Sequence, residues 1–316
     1  MQITQTRAAE LLRQADRVLV LCHMYPDGDT VGSAVALCRA LHMLGKKARM
    51  ECGHAIPEKY NYLTDYLQQQ SFEPSFTVAV DVADPALLGE GICPLVGEID
   101  LCIDHHHSNI RYAKEYLIDG EYASTAELVY EVIKEMGLTP DRLIGEAVYT
   151  GISTDTGCFR YSNTTPHTHQ TAAELIQMGV DSYAINKAMF ETKTRARIEM
   201  ERLALDSMEF FFDDKCALMY ITRDMIERTG IKEDDLEGLT PIPRQIEGVE
   251  VGVTFRERED GGYKVSVRSN QEIDAAGLCA KLNGGGHKRA AGCTILQEEA
   301  QAKETVLRLI EKELNR

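Results

Sequence analysis

Within seven residues the chain places one imidazole and two carboxylates, in the run His23-Met-Tyr-Pro-Asp27-Gly-Asp29. Carboxylates with an imidazole suit a divalent first-row ion better than the soft metals that thiolates select. Three further segments end at an acid or a histidine. Thr77-Val-Ala-Val stops at Asp81, with Asp84 three residues on, and Leu101-Cys-Ile stops at Asp104-His105-His106-His107. The run Gly145–Thr154 stops at Asp155, followed by Thr156 and Gly157. His23, Asp27, Asp29, Asp81, His105 and Asp155 are then candidate ligands, too many for one open catalytic ion. They suit two ions that share a carboxylate.

These side chains meet only if their elements do. Val18–Cys22 is short and aliphatic and reads as a buried strand, and Thr30–Leu41 has helical periodicity broken only by Gly32. The His23–Asp29 run reads as a strand-to-helix turn, stiffened by Pro26 and released by Gly28 so that Asp27 and Asp29 point differently. Strand-like and helix-like segments alternate from residue 4 to about 185, which predicts a parallel α/β sheet. Parallel strands bring their C-terminal ends to one edge, where such sheets hold ligands. Ser124-Thr-Ala-Glu127 is a capping box and predicts a helix start. The polar helical stretch 181–206 reads as an interdomain connection. Beyond it, Cys216–Ile221, Val249–Arg256 and Tyr263–Arg268 are strand candidates, the last two joined by Asp260-Gly-Gly, and Glu298–Leu314 reads as a closing helix. The expected organisation is an α/β domain with a parallel sheet over 1–185, a helical connector over 186–206 and a smaller α+β domain over 207–316. The substrate cleft is expected between the two domains.

The formal charge of −16 is uneven. Residues 1–185 carry 13 Lys and Arg against 25 Asp and Glu, a net of −12, whereas 244–292 carry 8 against 7, a net of +1. So acidic a surface argues against extended duplex binding, which needs many cationic phosphate contacts. A short anion held by metal ions and a few arginines remains compatible. No apolar run is long enough to span a bilayer, the N-terminus lacks a signal peptide's apolar segment, and the nine cysteines form no CxxC pair. Reduced thiols and a cytoplasmic location are expected, with no membrane partner.

The least acidic stretch holds a second signal, Gly284-Gly285-Gly286-His287-Lys288-Arg289. Three glycines permit positive φ and expose backbone N–H groups, as an anion-binding nest requires. His287 and Arg289 add donors beside it, and Arg256 and Arg268, ending adjacent strand candidates, could face the same place.

Taken together these residues resemble the DHH phosphoesterase family, named for the triplet seen here as Asp104-His105-His106. The terminal Gly284–His287 run resembles the mark of the DHH-associated domain found in one branch of it. The likeness extends over nearly the whole chain and is nearest to the small nanoRNase and pAp-phosphatase group. It implies that His23 and Asp27 hold one Mn²⁺, that Asp29, His105 and Asp155 hold a second, and that Asp81 bridges; Mg²⁺ or Co²⁺ could substitute. His106 would face the scissile phosphate, with Asp81 and His106 the catalytic pair. Gly284, Gly285, Gly286, His287, Arg268 and Arg289 would hold the nucleotide end. The implied activity is hydrolysis of short single-stranded RNA oligonucleotides to mononucleotides, and dephosphorylation of 3′-phosphoadenosine 5′-phosphate, by a hydroxide bridging two metals. A phosphodiesterase for cyclic di-AMP or linear pApA is the alternative within enzymes. A non-catalytic nucleotide-binding module is the alternative outside them. The oligomeric state, a homodimer included, stays open at this point.

Overall fold

Short aliphatic runs buried on both faces become the central strands. The computed structural model describes residues 1–68, 70–92 and 98–315, with the backbone alone at Asp234, Glu237 and His287. It divides into two compact units, Met1–Thr192 and Lys193–Arg316.

The first unit runs α1 (Gln5–Gln14), β1 (Val18–Cys22), α2 (Gly28–Met43), β2 (Ala48–Cys52), α3 (Asn61–Thr64), β3 (Phe76–Val80), β4 (Leu101–Asp104), β5 (Glu115–Ile118), α4 (Thr125–Glu135), α5 (Arg142–Asp155), α6 (Pro166–Gln177) and α7 (Ser182–Asn186). Its strands form a parallel sheet of order β2-β1-β3-β4-β5. Every residue of β1 is buried: Val18, Val20 and Cys22 pack on the core of α1, α2, α4 and α5, while Leu19 and Leu21 face a smaller cluster with Leu88, Cys102 and Ala113. That two-sided burial is what a parallel sheet demands of its central strands. The strand order reverses between β1 and β3, the point where open α/β sheets gather ligands. The expected alternation stops at β5, because residues 125–186 supply helices only, and Asp155 reaches the sheet edge from the last residue of α5.

Helices α2 and α5 pack closely because glycines remove side chains from the contact. A Cβ on Gly32 would lie 2.3 Å from the Ala147 carbonyl oxygen, and one on Gly151 would lie 2.4 Å from Ala126 Cβ and 2.8 Å from Asp29 Oδ1. Gly28, expected to release the turn, is the first residue of α2, and its Cβ would strike the Thr154 side chain at 2.3 Å. Its function is close approach, not turn geometry.

The second unit runs α8 (Arg195–Asp206), β6 (Glu209–Phe211), β7 (Cys216–Ile221), α9 (Arg223–Thr229), β8 (Val251–Glu257), β9 (Tyr263–Ser269), α10 (Ala275–Ala280), β10 (Gly285–His287), β11 (Ala290–Ile295) and α11 (Glu299–Leu314). Its mixed sheet has the order β10-β11-β9-β8-β7-β6. Ala302, Val306 and Ile310 of α11 and Leu278 of α10 pack on Val253, Phe255 and Val265. Met200 and Ala204 of α8 join Met219 and Ile221 in a separate cluster. Among the described residues no helix is long and apolar enough to cross a membrane, and the described cysteines are free. Cys158 sits in a left-handed turn after α5, with Gly157, Cys158 and Phe159 at φ 56°, 60° and 61°.

Candidate metal centre

Asp27 caps α2: its Oδ1 accepts the N–H of Asp29 at 3.0 Å and of Thr30 at 3.1 Å. Thr30 Oγ1 donates to the Val80 carbonyl at 3.3 Å and accepts the His23 N–H at 3.4 Å, tying the ends of β1 and β3 to the start of α2. Asp29 is buried in the first turn of α2 and reaches α4, whose first N–H groups meet both its oxygens: Thr125 at 2.7 Å and Ala126 at 2.8 Å. Asp81, just past β3, adopts φ 60°, a left-handed conformation that costs a non-glycine residue about 1–2 kcal/mol. Its N–H donates to the Ile103 carbonyl at 3.0 Å, and its Oδ1 accepts from Thr125 Oγ1 at 2.9 Å. Strain held in place this way is typical of a site that needs the side chain aimed.

The carboxylates and imidazoles converge. His23 Nε2 lies 3.6 Å from Asp27 Oδ1 and 3.5 Å from Asp81 Oδ2. His105 Nε2 lies 3.6 Å from Asp155 Oδ2, and 3.9 Å from both Asp29 Oδ2 and Asp81 Oδ1. Two triplets, His23–Asp27–Asp81 and Asp29–His105–Asp155, each keep one donor atom per residue within 4.8 Å of the others, and a third joins Asp81, His105 and His106. Asp81 belongs to two of the three.

Charge makes the cluster ask for cations. Burial, then Asp81, Asp155 and Asp27, push the Asp29 carboxyl well above its usual range against the opposing Ala126 N–H. Burial raises Asp155 to about 7, chiefly against the pull of His105. Asp155 also ends α5, where the helix dipole disfavours negative charge. At Asp81 burial raises the pKa, but the His23 hydrogen bond and the charges of His106, His23 and His105 outweigh it and hold the group low. Burial lowers His23, yet Asp27 and Asp81 lift it to about 10. Protons thus stand where cations would. Four carboxylates match two divalent ions in charge, and the donor set fits them.

His106 is built differently. Its Nδ1 lies 2.8 Å from Asp104 Oδ1, which also accepts the His106 backbone N–H at 3.2 Å. The other Asp104 oxygen accepts from Asn109 Nδ2 at 2.6 Å. Burial lowers the imidazole, but Asp104 and then Asp81 raise it to about 9. His105 takes its orientation elsewhere, with Nδ1 3.3 Å from the Tyr122 carbonyl. Its ring also meets that of His106 edge-on, with centroids 4.5 Å apart. His107 is exposed over Gly120, and Asp84 caps the turn at Pro85. Asn163, which the sequence did not flag, bridges Asp155 and the Ala123 carbonyl. In the sequence Asp104 stands out only as part of the triplet, although its place at the end of the aliphatic run Leu101–Ile103, beside His105, is signal enough.

In the second unit the glycine run is not a free loop. Gly285-Gly286-His287 pair antiparallel with Ala290-Ala291-Gly292, Lys288 and Arg289 form the exposed turn, and of the three glycines Gly286 alone has positive φ, at 140°. The glycines allow strand contact instead: a Cβ on Gly284 would lie 2.3 Å from the Gly292 carbonyl oxygen. The register aligns the His287 backbone with Ala290, and Ala290 with Arg268. The side chain of His287 lies outside the described residues. Arg256 does not join Arg268: it pairs with Lys264 in register and with Glu233 in charge, while Arg268 lies opposite Gly252, about 13 Å along the strand.

Residues 17–152 match the DHH family, N-terminal domain, and 213–316 the DHHA1 domain. The bifunctional oligoribonuclease and PAP phosphatase NrnA of Thermus thermophilus is 35% identical, over 98% of this chain and 94% of its own length. The protein of the same name from Bacillus subtilis is 28% identical, over 89% and 90%. Among solved structures, an exopolyphosphatase-related protein from Bacteroides fragilis superposes with a TM-score of 0.90 at 24% identity, covering 98% of this chain and 96% of that one, a likeness of fold.

Proposed function

Since the chain belongs to the DHH family of phosphoesterases, we propose that it is a metal-dependent hydrolase of short RNA oligonucleotides that also removes the 3′-phosphate of 3′-phosphoadenosine 5′-phosphate. The observation that carries this is the convergence at one sheet edge of the triplets His23–Asp27–Asp81 and Asp29–His105–Asp155, with the second oxygen of Asp81 turned toward His105 and His106. The near full-length relatives that bear both activities in their name support the substrate class.

His23 and Asp27 would hold one ion, Asp29, His105 and Asp155 the other, and Asp81 both; Mn²⁺ is the metal we assign. When bound, such a pair activates water at neutral pH and neutralises charge on the phosphoryl group. The protein's own groups do the rest. His106, whose ring Asp104 holds through Nδ1 and whose protonated form that buried carboxylate favours, would donate to a phosphoryl or leaving-group oxygen. Asp104 fixes that ring through Nδ1, and the Tyr122 carbonyl fixes the ring of His105. In the second unit we assign Arg268, Arg289, His287 and the Gly284–Gly286 backbone to the nucleotide end, in the least acidic part of the chain.

The test is a chromatographic time course of Mn²⁺-loaded protein with a 5′-phosphorylated RNA pentamer, with pAp and cyclic di-AMP run in parallel. Stepwise release of mononucleotides, abolished by EDTA, is the expected result. Inert pentamer and pAp with rapid cleavage of cyclic di-AMP would replace this substrate assignment by the cyclic one. Metal-independent binding without turnover of anything would point to a binding module.

A further inference from the structure

We propose that Tyr25, with His54 beside it, is a nucleobase platform next to the His23–Asp27 end of the metal centre. The inference rests on the phosphoesterase reading above and adds a residue that would recognise the organic part of the substrate.

Tyr25 lies between His23 and Asp27 and is 58% exposed, unusual for an aromatic ring so close to a buried cluster. Its described ring neighbour is His54, itself exposed, with centroids 5.5 Å apart and planes at 76°. His54 follows β2 and Tyr25 follows β1, so both stand at the C-terminal edge of the sheet that carries Asp81 and His105.

The backbone under the ring is clamped. The N–H of Met24 donates to the Leu87 carbonyl at 2.6 Å. A Cβ on Gly53 would lie 2.9 Å from Met24 Cβ and 2.5 Å from the Leu88 carbonyl oxygen, so only glycine lets the two loops close on each other. Pro26 fixes φ on the other side. The aromatic is thus held out toward solvent on a rigid support, and a preorganised surface loses little entropy on binding.

What such a surface takes follows from its neighbour. A centre built for phosphate esters, with an exposed ring two residues from each of two of its candidate ligands, meets the group esterified to that phosphate. Of the components of a nucleotide, the base alone offers a flat π-face. Stacking on Tyr accepts any base, which suits an enzyme that must shorten oligomers of every sequence. Inorganic pyrophosphate or polyphosphate would gain nothing from it.

The experiment compares wild type, Tyr25→Ala and Tyr25→Trp on pApA and on the same ribose-phosphate dimer lacking both bases. Tyr183→Ala, another exposed tyrosine, serves as control. Tyr25→Ala is expected to raise KM for pApA about five- to a hundred-fold with kcat little changed. Tyr25→Trp should restore it, and the base-free dimer should show no difference among the variants. An equal KM rise on the base-free dimer would mean that Tyr25 merely shapes the loop, and an unchanged KM on pApA would also overturn the proposal. Quenching of a 2-aminopurine dinucleotide reads the stack without turnover. If wild type cleaves neither dimer, the phosphoesterase reading fails, while quenching lost in Tyr25→Ala would still uphold the platform and its persistence would refute it.

Discussion

One oxygen of Asp104 accepts twice from His106, through the ring Nδ1 at 2.8 Å and the backbone N–H at 3.2 Å, while Asn109 holds the other oxygen. The carboxylate is fully buried at the end of β4, so the imidazole it supports is held in one direction. Asp104→Asn keeps the shape and removes the charge that lifts His106 to about 9. We expect kcat to fall by about two orders of magnitude, and the alkaline limb of the pH–rate profile to move toward neutrality. A reduced kcat with an unmoved alkaline limb would leave Asp104 a merely structural role.

Asp81 is the carboxylate common to two triplets, and it sits in a left-handed conformation that Asn tolerates better than most residues. Asp81→Asn should therefore fold while losing turnover to the assay floor and weakening both metal equivalents in a titration. Near-normal Mn²⁺-dependent activity in this variant would refute a shared carboxylate.

Metal-free protein should lose stability as pH rises. His23 and His106 have folded pKa values of about 10 and about 9, above the usual 6.5, so their contribution is complete below 6.5 and disappears as pH climbs through 9 to 10. Asp155, raised to about 7, acts in the same direction between roughly pH 4 and 7. Divalent ions replace those protons and bind more tightly at high pH. Melting curves in EDTA and in Mn²⁺ should therefore diverge progressively from pH 6.5 to 9. Parallel curves across that range would argue against this origin of the stability.

Gly151→Ala pushes a methyl group into Ala126 and toward Asp29. Overpacking of this kind costs about 1–3 kcal/mol, and here it should also displace a candidate ligand, so urea midpoint and metal affinity should fall together. Gly91→Ala, where a Cβ meets none of the described residues within 4 Å, is the control and should stay within about 0.5 kcal/mol. Equal effects at the two positions would remove the packing argument.

The central strands were legible because burial on both faces writes an uninterrupted aliphatic run, as in Val18–Cys22 and Leu101–Ile103. The edge strands β2 and β5 escaped notice because Ala48-Arg-Met-Glu-Cys and Glu115-Tyr-Leu-Ile are only partly buried and carry no such run. The six candidate ligands stood out by type and by position at element ends, and the fold brings them to one edge. Their supports did not stand out. Thr125, the Tyr122 carbonyl and Asn163 act through backbone groups or common polar side chains, whose importance depends on what lies opposite them in space. The glycine run misled for a related reason: glycine marks both free loops and crowded strand pairs, and only the opposite strand distinguishes them.

Asp29 has two occupations. Its oxygens already satisfy the first N–H groups of α4, so the residue is as much a cap for that helix as a member of the cluster. A lineage that abandoned hydrolysis would be freer to discard Asp155, whose charge stands at the C-terminal end of α5 against the helix dipole. It would not be equally free to discard Asp29, since doing so would leave buried donors without acceptors. The persistence of that one acid is therefore poor evidence for activity, and Asp155 is the better witness.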